Sequence, residues 1–367
     1  MLIDQLLEKA PFIEPQEKNK LFMVALKESL RHHYANSPEF RNFADSQGFH
    51  PESEITLSEA PYFPVSMFKH LDLITGAEEL IKKKILSSST SGKQPSKIHL
   101  DNLTINRQRK ALVSIMSSFI GKKKKVFIIF DSESTIKGQA GTLSSRAGAI
   151  RGMLPFAQSI NFILNQDLTL NYDLLEKALS KVKEEEEVCF FGFTWIIYSL
   201  MLNLRKSGDQ DKVAGFFNQL RNKKYCLHIG GWKKLTDISV SKDLFNSEVS
   251  GFLNMGPGKI IDFYGMTEQL GTVYPDCEYG HKHASTYSEI IIRDLDTFEP
   301  CPPGKTGFIQ LLTPLPHSYP GFSVITDDLG EIIGEDGCPC GRPGKYFVFK
   351  KRIEKSEIKG CGDTYEQ

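Results

Sequence analysis

Apolar positions change their spacing twice along the chain. Over roughly the first 45 residues they recur at helical intervals. In "PQEKNKLFMVALKESLRHHYANSPEFRNF" the residues Leu21, Phe22, Ala25, Leu26 and Leu30 share one stripe, and Pro15 stands where a first turn accepts it. The preceding "DQLLEKAPF" reads as a further short helix. A proline-rich crossing, "APYFPVSMFKH", then leads to a charged strand. Beyond it, continuous apolar and β-branched runs replace the stripe: "KKVFIIFD" (124–131), "VCFFGFTW" (188–195), "KYCLHIGGW" (224–232) and "KIIDFYGMTE" (259–268). Helical stretches such as "NYDLLEKALSKVK" and "QDKVAGFFNQLRN" lie between them. Strands without polar alternation are buried on both faces, so the alternation predicts a parallel α/β sheet with crossover helices. After residue 285 the texture shortens to "STYSEIIIRDL", "TGFIQLLT", "EIIG" and "KYFVFKKR", separated by Pro and Gly turns, which predicts a mainly antiparallel region.

Composition narrows the function classes. The chain has 367 residues, 40% hydrophobic and 25% charged, which is ordinary for a globular protein. Its formal net charge is zero, so no basic field points to nucleic acid. The runs Lys122–Lys125 and Glu184–Glu187 read as solvated surface. The N-terminus "MLIDQLLEKAPF" lacks a basic region and a small-residue cleavage site, and no apolar run reaches the ~20 residues of a membrane span. "CFFGFTWIIYSLML" (189–202) is too short and reads as a buried strand entering a helix. Seven cysteines without an export signal favour reduced thiols and a cytoplasmic setting, with metal binding or catalysis as their uses.

Against this background "ILSSSTSGKQPSKIHL" (85–100) stands out, with six hydroxyl side chains and a glycine between two apolar stretches. A disordered linker, a glycosylated loop and an anion cradle all fit it in isolation. Hydroxyls and unencumbered backbone N–H groups can surround phosphate oxygens, yet no Walker loop occurs in the chain. Two later segments supply matching chemistry. In "FYGMTEQ" (263–269), Gly265 follows a strand, Thr267 offers a donor to phosphate and Glu268 a ligand for Mg²⁺. In "VITDDLGEI" (324–332), Asp327 and Asp328 precede an expected turn, where a carboxylate can accept two ribose hydroxyls. Separately, "CEYGHKH" (277–283) and "CPCG" (338–341) offer sulfur and imidazole suited to tetrahedral Zn²⁺. The set is Cys277, His283, Cys338 and Cys340, with His283 preferred to His281; the alternative is a cluster of buried thiols beside a surface histidine pair. His32, His33, His50, His70 and His99 suggest no triad, and no G-x-S-x-G elbow exists.

In order, S-S-S-T-S-G-K-Q-P (87–95), Y-G-M-T-E (264–268), T-D-D (326–328) and K-R (351–352) resemble the signatures of adenylate-forming enzymes, the acyl- and aryl-CoA synthetase superfamily. Ser89, Asp327 and Lys351 replace glycines of that pattern. "PVSMFKHLDL", "IGGWKK" and the terminus "EIKGCGDTYEQ" narrow the resemblance to LuxE-type acyl-protein synthetases over nearly the whole chain. The resemblance implies the α/β large-domain fold of adenylate-forming enzymes, with a helical N-terminal segment, a β-rich C-terminal portion and a truncated mobile domain. The corresponding division is 1–84, helical; 85–284, nucleotide-binding core; 285–350, β-rich; 351–367, hinge remnant and arm carrying Cys361.

By the same resemblance, Ser88, Ser89, Thr90, Ser91, Gly92, Tyr264, Gly265, Thr267, Glu268, Asp328 and Arg352 bind ATP, with Mg²⁺ on Glu268. A fatty acid becomes an acyl-adenylate, Cys361 takes the acyl group as a thioester, and an acyl reductase or acyltransferase partner receives it. Gly360 and Gly362 loosen the arm around Cys361, and Lys359 favours its thiolate. The superfamily's adenylation lysine lies in a domain past the hinge, whereas this sequence runs fifteen residues past Arg352. Lys93, Lys97 and Lys233 are the candidates to replace it. Two other readings stay open: a ligase that hands its adenylate to CoA or a carrier thiol, and a degenerate, non-catalytic scaffold.

Overall fold

The structure is a computed structural model and describes residues 1–87, 94–137, 142–232 and 238–353. Its centre is a six-stranded sheet in the order Tyr274–Pro275, Ile260–Tyr264, Lys224–Ile229, Glu187–Phe193, Lys125–Phe130, Ala157–Phe162. All neighbours are parallel except the two-residue strand Tyr274–Pro275, which runs antiparallel at one edge. The four apolar runs read from the sequence are its four inner strands. Successive side chains point to opposite faces, and both faces are covered. Phe127, Ile129, Phe191, Leu227 and Phe263 join one core with Ala111, Ile115 and Met116 of helix Asn102–Ile120. Ile128, Phe130, Phe190, Cys226 and Ile260 join the other, under helices Thr194–Ser207, Gln210–Gln219 and Lys242–Leu253.

A second sheet follows in sequence: Glu289–Arg293, Gly307–Leu312, Ser323–Glu335 and Lys345–Arg352 pair antiparallel, with Lys282–His283 on the outer edge. The turn expected after Asp328 is absent. Ser323–Glu335 is one strand of 13 residues, and register shifts at Leu329/Gly330 and Ile332/Gly334 bend it without ending it. A third, small sheet joins Lys83–Leu86 to Lys97–Leu100 antiparallel and to Thr142–Ser144 in parallel.

The N-terminal helices Leu2–Leu7, Pro15–Asn36 and Pro38–Ser46 form as the apolar stripe predicts, the last capped by Ser37 with a proline in its first turn. They pack on the second sheet. Lys18 and Glu289 form an ion pair of 3.1 Å with both side chains buried, and Thr286 N–H donates to Pro11 O at 2.8 Å. The crossing that follows adds Phe63–Pro64 as a parallel strand against Val324–Ile325. His33 is fully buried and satisfied by Thr75 and Pro316, a core histidine. No helix among the described residues is long and apolar enough to cross a membrane.

Candidate active site

Three of the sequence motifs meet beyond the carboxyl end of the parallel strand Ile260–Tyr264, the usual location for ligands on such sheets. Tyr264 ends that strand. Asp328 lies within Ser323–Glu335, and Arg352 ends Lys345–Arg352, directly opposite Asp328 in the ladder. The guanidinium grips the carboxylate as a fork, with Nε to Oδ1 at 2.6 Å and Nη2 to Oδ2 at 3.0 Å. The Tyr264 hydroxyl donates to Asp328 Oδ2 at 2.8 Å. Below them, Thr326 Oγ1 accepts from Asp328 N–H and donates to Ile309 O, fixing the strand. Desolvation and the Asp328 charge hold the Tyr264 phenol well above its ordinary pKa, so it remains a neutral donor. The result is a pre-aimed carboxylate, 2% exposed, with acceptor capacity left over.

Glu268 follows in the short helical turn Thr267–Gln269 and is 5% exposed. Burial raises its carboxyl pKa, while the Ser96 hydroxyl alongside opposes the shift. Among the described residues no ion pair compensates it. A buried carboxylate without a cation is costly, and this one fits a ligand for a divalent ion. Its turn is held rigidly. Gln269 Nε2 donates to Leu311 O and Gly321 O, both at 2.9 Å. At Gly271, φ is +90° and a β-carbon would stand 2.5 Å from Gln108 Cα, so only glycine fits. Gly265 carries no such demand, since a β-carbon there would make ordinary contacts with Val273 and Thr272. Thr267 is half-buried beside Glu268.

The base of the hydroxyl-rich loop approaches the same place. The loop residues Ser88, Ser89, Thr90, Ser91, Gly92 and Lys93 lie outside the described residues, as do Lys233 and Cys361. The loop's base is described. Ser87 N–H donates to Ser96 O at 3.0 Å and Ser96 N–H to Ser87 Oγ at 2.8 Å, pinching the two ends together. The buried Ser96, whose hydroxyl opposes the Glu268 pKa shift, brings the loop's root next to that carboxylate. Lys97 turns elsewhere, donating to Asp72 at 3.2 Å, a carboxylate that His99 also contacts.

The cysteine and histidine set gathers as well. The ligand atoms of Cys277, His283, Cys338 and Cys340 all lie within 4.8 Å of one another. Cys277 follows the edge strand Tyr274–Pro275, His283 sits on Lys282–His283, and the other two occupy the turn between the long strands Ser323–Glu335 and Lys345–Arg352. Cys277 Sγ is 3.8 Å from Cys338 Sγ, and Cys340 Sγ is 3.3 Å from His283 Nε2. Burial pushes the Cys338 thiol up to about 12 and lowers His283 to about 4, which keeps the imidazole neutral as a metal ligand requires. His281 also points inward, with Nδ1 at 3.4 Å from Cys338 Sγ. Three thiols and one neutral imidazole, with all ligand atoms within 4.8 Å of one another, fit tetrahedral zinc.

Sequence reasoning missed several charged contacts. Lys69 lies close enough to bias the Glu268 charge. Asp131 ends Lys125–Phe130 and is bound by Arg146 at 2.8 Å and by Thr135 at 2.7 Å. His317 pairs with Asp101 at 2.7 Å. None of these belongs to a local motif, so only the spacing of distant strands could reveal them.

The sequence model of the family described as "Acyl-protein synthetase, LuxE" matches residues 2–367. The chain belongs to that family. It is therefore an enzyme of the AMP-forming ligase class, and the resemblance read from its motifs holds. It is 26% identical over 360 residues to the long-chain-fatty-acid–luciferin-component ligase of Vibrio harveyi, covering 96% of this chain and 89% of that one. To the ligase of the same description from Aliivibrio fischeri it is 23% identical, covering 94% and 88%. Among solved structures, an open conformation of 2-hydroxyisobutyryl-CoA ligase bound to 2-HIB-AMP and CoA superposes with a TM-score of 0.69 at 13% identity, over 94% of this chain and 77% of that one. The acyl-protein synthetase fold is thus that of the adenylate-forming ligases.

Proposed function

We propose that this acyl-protein synthetase activates a long-chain fatty acid with ATP and passes the acyl group through Cys361 to a partner protein. The observation that carries the reading is the junction of Tyr264, Asp328 and Arg352 with Glu268 at the root of the hydroxyl loop. Asp328 accepts a ribose hydroxyl while Arg352 and Tyr264 hold it. Residues 88–92 line the phosphates. Glu268 would hold Mg²⁺, which neutralises phosphate charge as it builds. A carboxylate oxygen of the fatty acid attacks the α-phosphorus, the α–β anhydride bond breaks, and pyrophosphate leaves with the electron pair. The Cys361 thiolate then attacks the acyl carbon and AMP departs, leaving a thioester.

The fatty acid is supported by the description of the Vibrio harveyi relative, and an acyl reductase or acyltransferase is the receiving partner that a thioester suits. Cys277, His283, Cys338 and Cys340 hold structural zinc in this reading, with no coordination position left for chemistry. A cytoplasmic setting belongs to it too, because a zinc tetrad and an acyl-accepting thiol both need reduced sulfur.

Pyrophosphate exchange with a panel of carboxylic acids tests the activation step. Labelled acid plus ATP, followed by hydroxylamine, tests the transfer: label should be released from wild type and absent from Cys361→Ser. A thioester label that persists in Cys361→Ser would overturn the arm. AMP release from Cys361→Ala that depends on added CoA would transfer the assignment to a CoA ligase.

A further inference from the structure

Activation brings the negative charges of a carboxylate and a triphosphate together, and the site needs a cation to bridge them. Of the basic residues near Glu268, Arg352 is committed as a fork to Asp328, and Lys97 is committed to Asp72. Lys69 is different. It sits in the short helix Met67–His70, half-buried, and among the described residues no carboxylate lies within ion-pair distance of it. Its position is tightly fixed. Phe63–Pro64 is laid in parallel against Val324–Ile325, and Val65 N–H donates to Ile325 O at 2.9 Å, three residues before Asp328. The next turn drives Phe68 fully into the core, edge-on to Phe63 at 6.2 Å and to Tyr319 at 6.3 Å. Tyr319 is in turn the neighbour of Glu268, for at Gly321, two residues on, a β-carbon would meet Glu268 O at 2.7 Å. The same helix packs on Lys97–Leu100, the strand that leaves the hydroxyl loop. The helix that carries Lys69 therefore lies beside the strand leaving the loop's root, and the Lys69 charge acts on Glu268.

We infer that Lys69 is the lysine that contacts the reacting phosphate and carboxylate during adenylation, a role sequence reasoning gave to Lys93, Lys97 or Lys233. The inference rests on the ATP-dependent activation proposed above. A mobile ammonium on a flexible stem suits a charge that moves from carboxylate to phosphorane. Asp328–Arg352 fixes the nucleoside, Glu268 faces the metal, and Lys69 supplies the direct positive contact.

Two measurements on the full chain test this. In fatty-acid-dependent ATP–pyrophosphate exchange, Lys69→Ala should lower kcat by about 100-fold with a much smaller change in the KM for ATP, as for loss of one transition-state donor. Lys69→Arg should recover part of the rate, and Lys97→Ala should match wild type. Melting curves on the same preparations separate a folding defect from lost chemistry. In the second measurement, acetylation of lysines by an N-hydroxysuccinimide ester is followed by peptide mass spectrometry, with Mg-ATP expected to shield Lys69 and leave Lys97 reactive. Wild-type exchange in a folded Lys69→Ala protein, or unshielded Lys69, overturns the inference. Wild-type protein that exchanges with no acid but still shields Lys69 overturns the proposed activation instead, leaving Lys69 as a nucleotide contact.

Discussion

Replacing Asp328 with asparagine separates the site's binding role from any structural one. The carboxylate accepts from Tyr264 and twice from Arg352, and an ionised carboxylate has about four lone-pair directions, so capacity remains for ribose. Asparagine keeps the shape but presents one oxygen and an NH₂, which cannot accept from Arg352 or from a sugar hydroxyl. The Asp328 side chain is 3% exposed, yet that of Arg352 is 73% exposed. Solvent screens the pair, so its contribution to folding is at most about 1 kcal/mol. The melting point should therefore move by about 2 °C or less. The loss to ATP is larger, because a hydrogen bond to a charged group is worth about 1.5–3 kcal/mol, or roughly ten- to 150-fold in KM. The ribose is remote from the breaking bond, so kcat should hold. Pyrophosphate exchange at varied ATP, with thermal melts on the same samples, reads all three quantities. An unchanged KM for ATP beside a large fall in melting temperature would refute the assignment of Asp328 to the nucleotide.

Glu268→Gln should abolish most exchange activity, by about 100-fold, yet make the protein more stable at neutral pH. The sign follows from the raised folded-state pKa: the native state holds its proton longer, so stability falls as pH rises through that value, and a neutral amide escapes the loss. Melting points of both proteins between pH 4 and 8 check this, and they should converge toward the acid end. The acyl-protein synthetase purified without chelator should carry one zinc by atomic emission. Cys340→Ser or a strong chelator should remove the metal and lower the melting point. For the Asp101–His317 pair the sign is opposite. Burial raises the Asp101 carboxyl, but His317 and Thr104 outweigh it and bring the pKa to about 2. Stability from this group is present above the unfolded value near 4 and is lost as pH falls toward 2, at most about 2 kcal/mol. Denaturation of Asp101→Asn, which keeps the cap on Thr104, should show that deficit at pH 7 and none near pH 2.

The inner strands were legible because burial on both faces leaves an uninterrupted apolar run, and Lys125–Phe130 has every position buried. The helical stripe over Pro15–Asn36 was legible for the complementary reason, since one face alone is buried. Tyr264, Glu268, Asp328 and Arg352 were singled out through motif order, and strand pairing brings Asp328 opposite Arg352. The turn expected after Asp328 failed because Leu329–Gly330 looks like a break. Gly330 is instead required by close packing, as a β-carbon would stand 2.8 Å from Ile309 Cδ1. Phe63–Pro64 carries no period in two residues, so its place beside Val324–Ile325 was invisible, and with it the position of Lys69. The Cys/His cluster was legible by type. The choice of His283 followed no periodicity, and the structure turns His281 toward Cys338 as well.

Each sheet contributes one part of the candidate site. The parallel sheet ends in Tyr264 and the Glu268 turn, the antiparallel sheet presents Asp328 and Arg352, and the small sheet pins the loop through Ser87 and Ser96. None of the three carries the proposed nucleotide site alone, and none of the three parts is close to another in sequence. The parallel and antiparallel sheets are joined next to the candidate site by Gln269, which donates to Leu311 O and Gly321 O. Strand-borne side chains lose little freedom when substrate arrives, which favours pre-aimed donors over adaptable ones. Glu268 is the exception in energy, a buried carboxylate with no compensating ion pair among the described residues. The fold tolerates it because the turn around it is over-determined by Gln269, Gly271 and Gly321. A stabilised variant of this site should thus lose activity first at Glu268, where the cost of burial and the demand of the reaction fall on the same oxygen atoms.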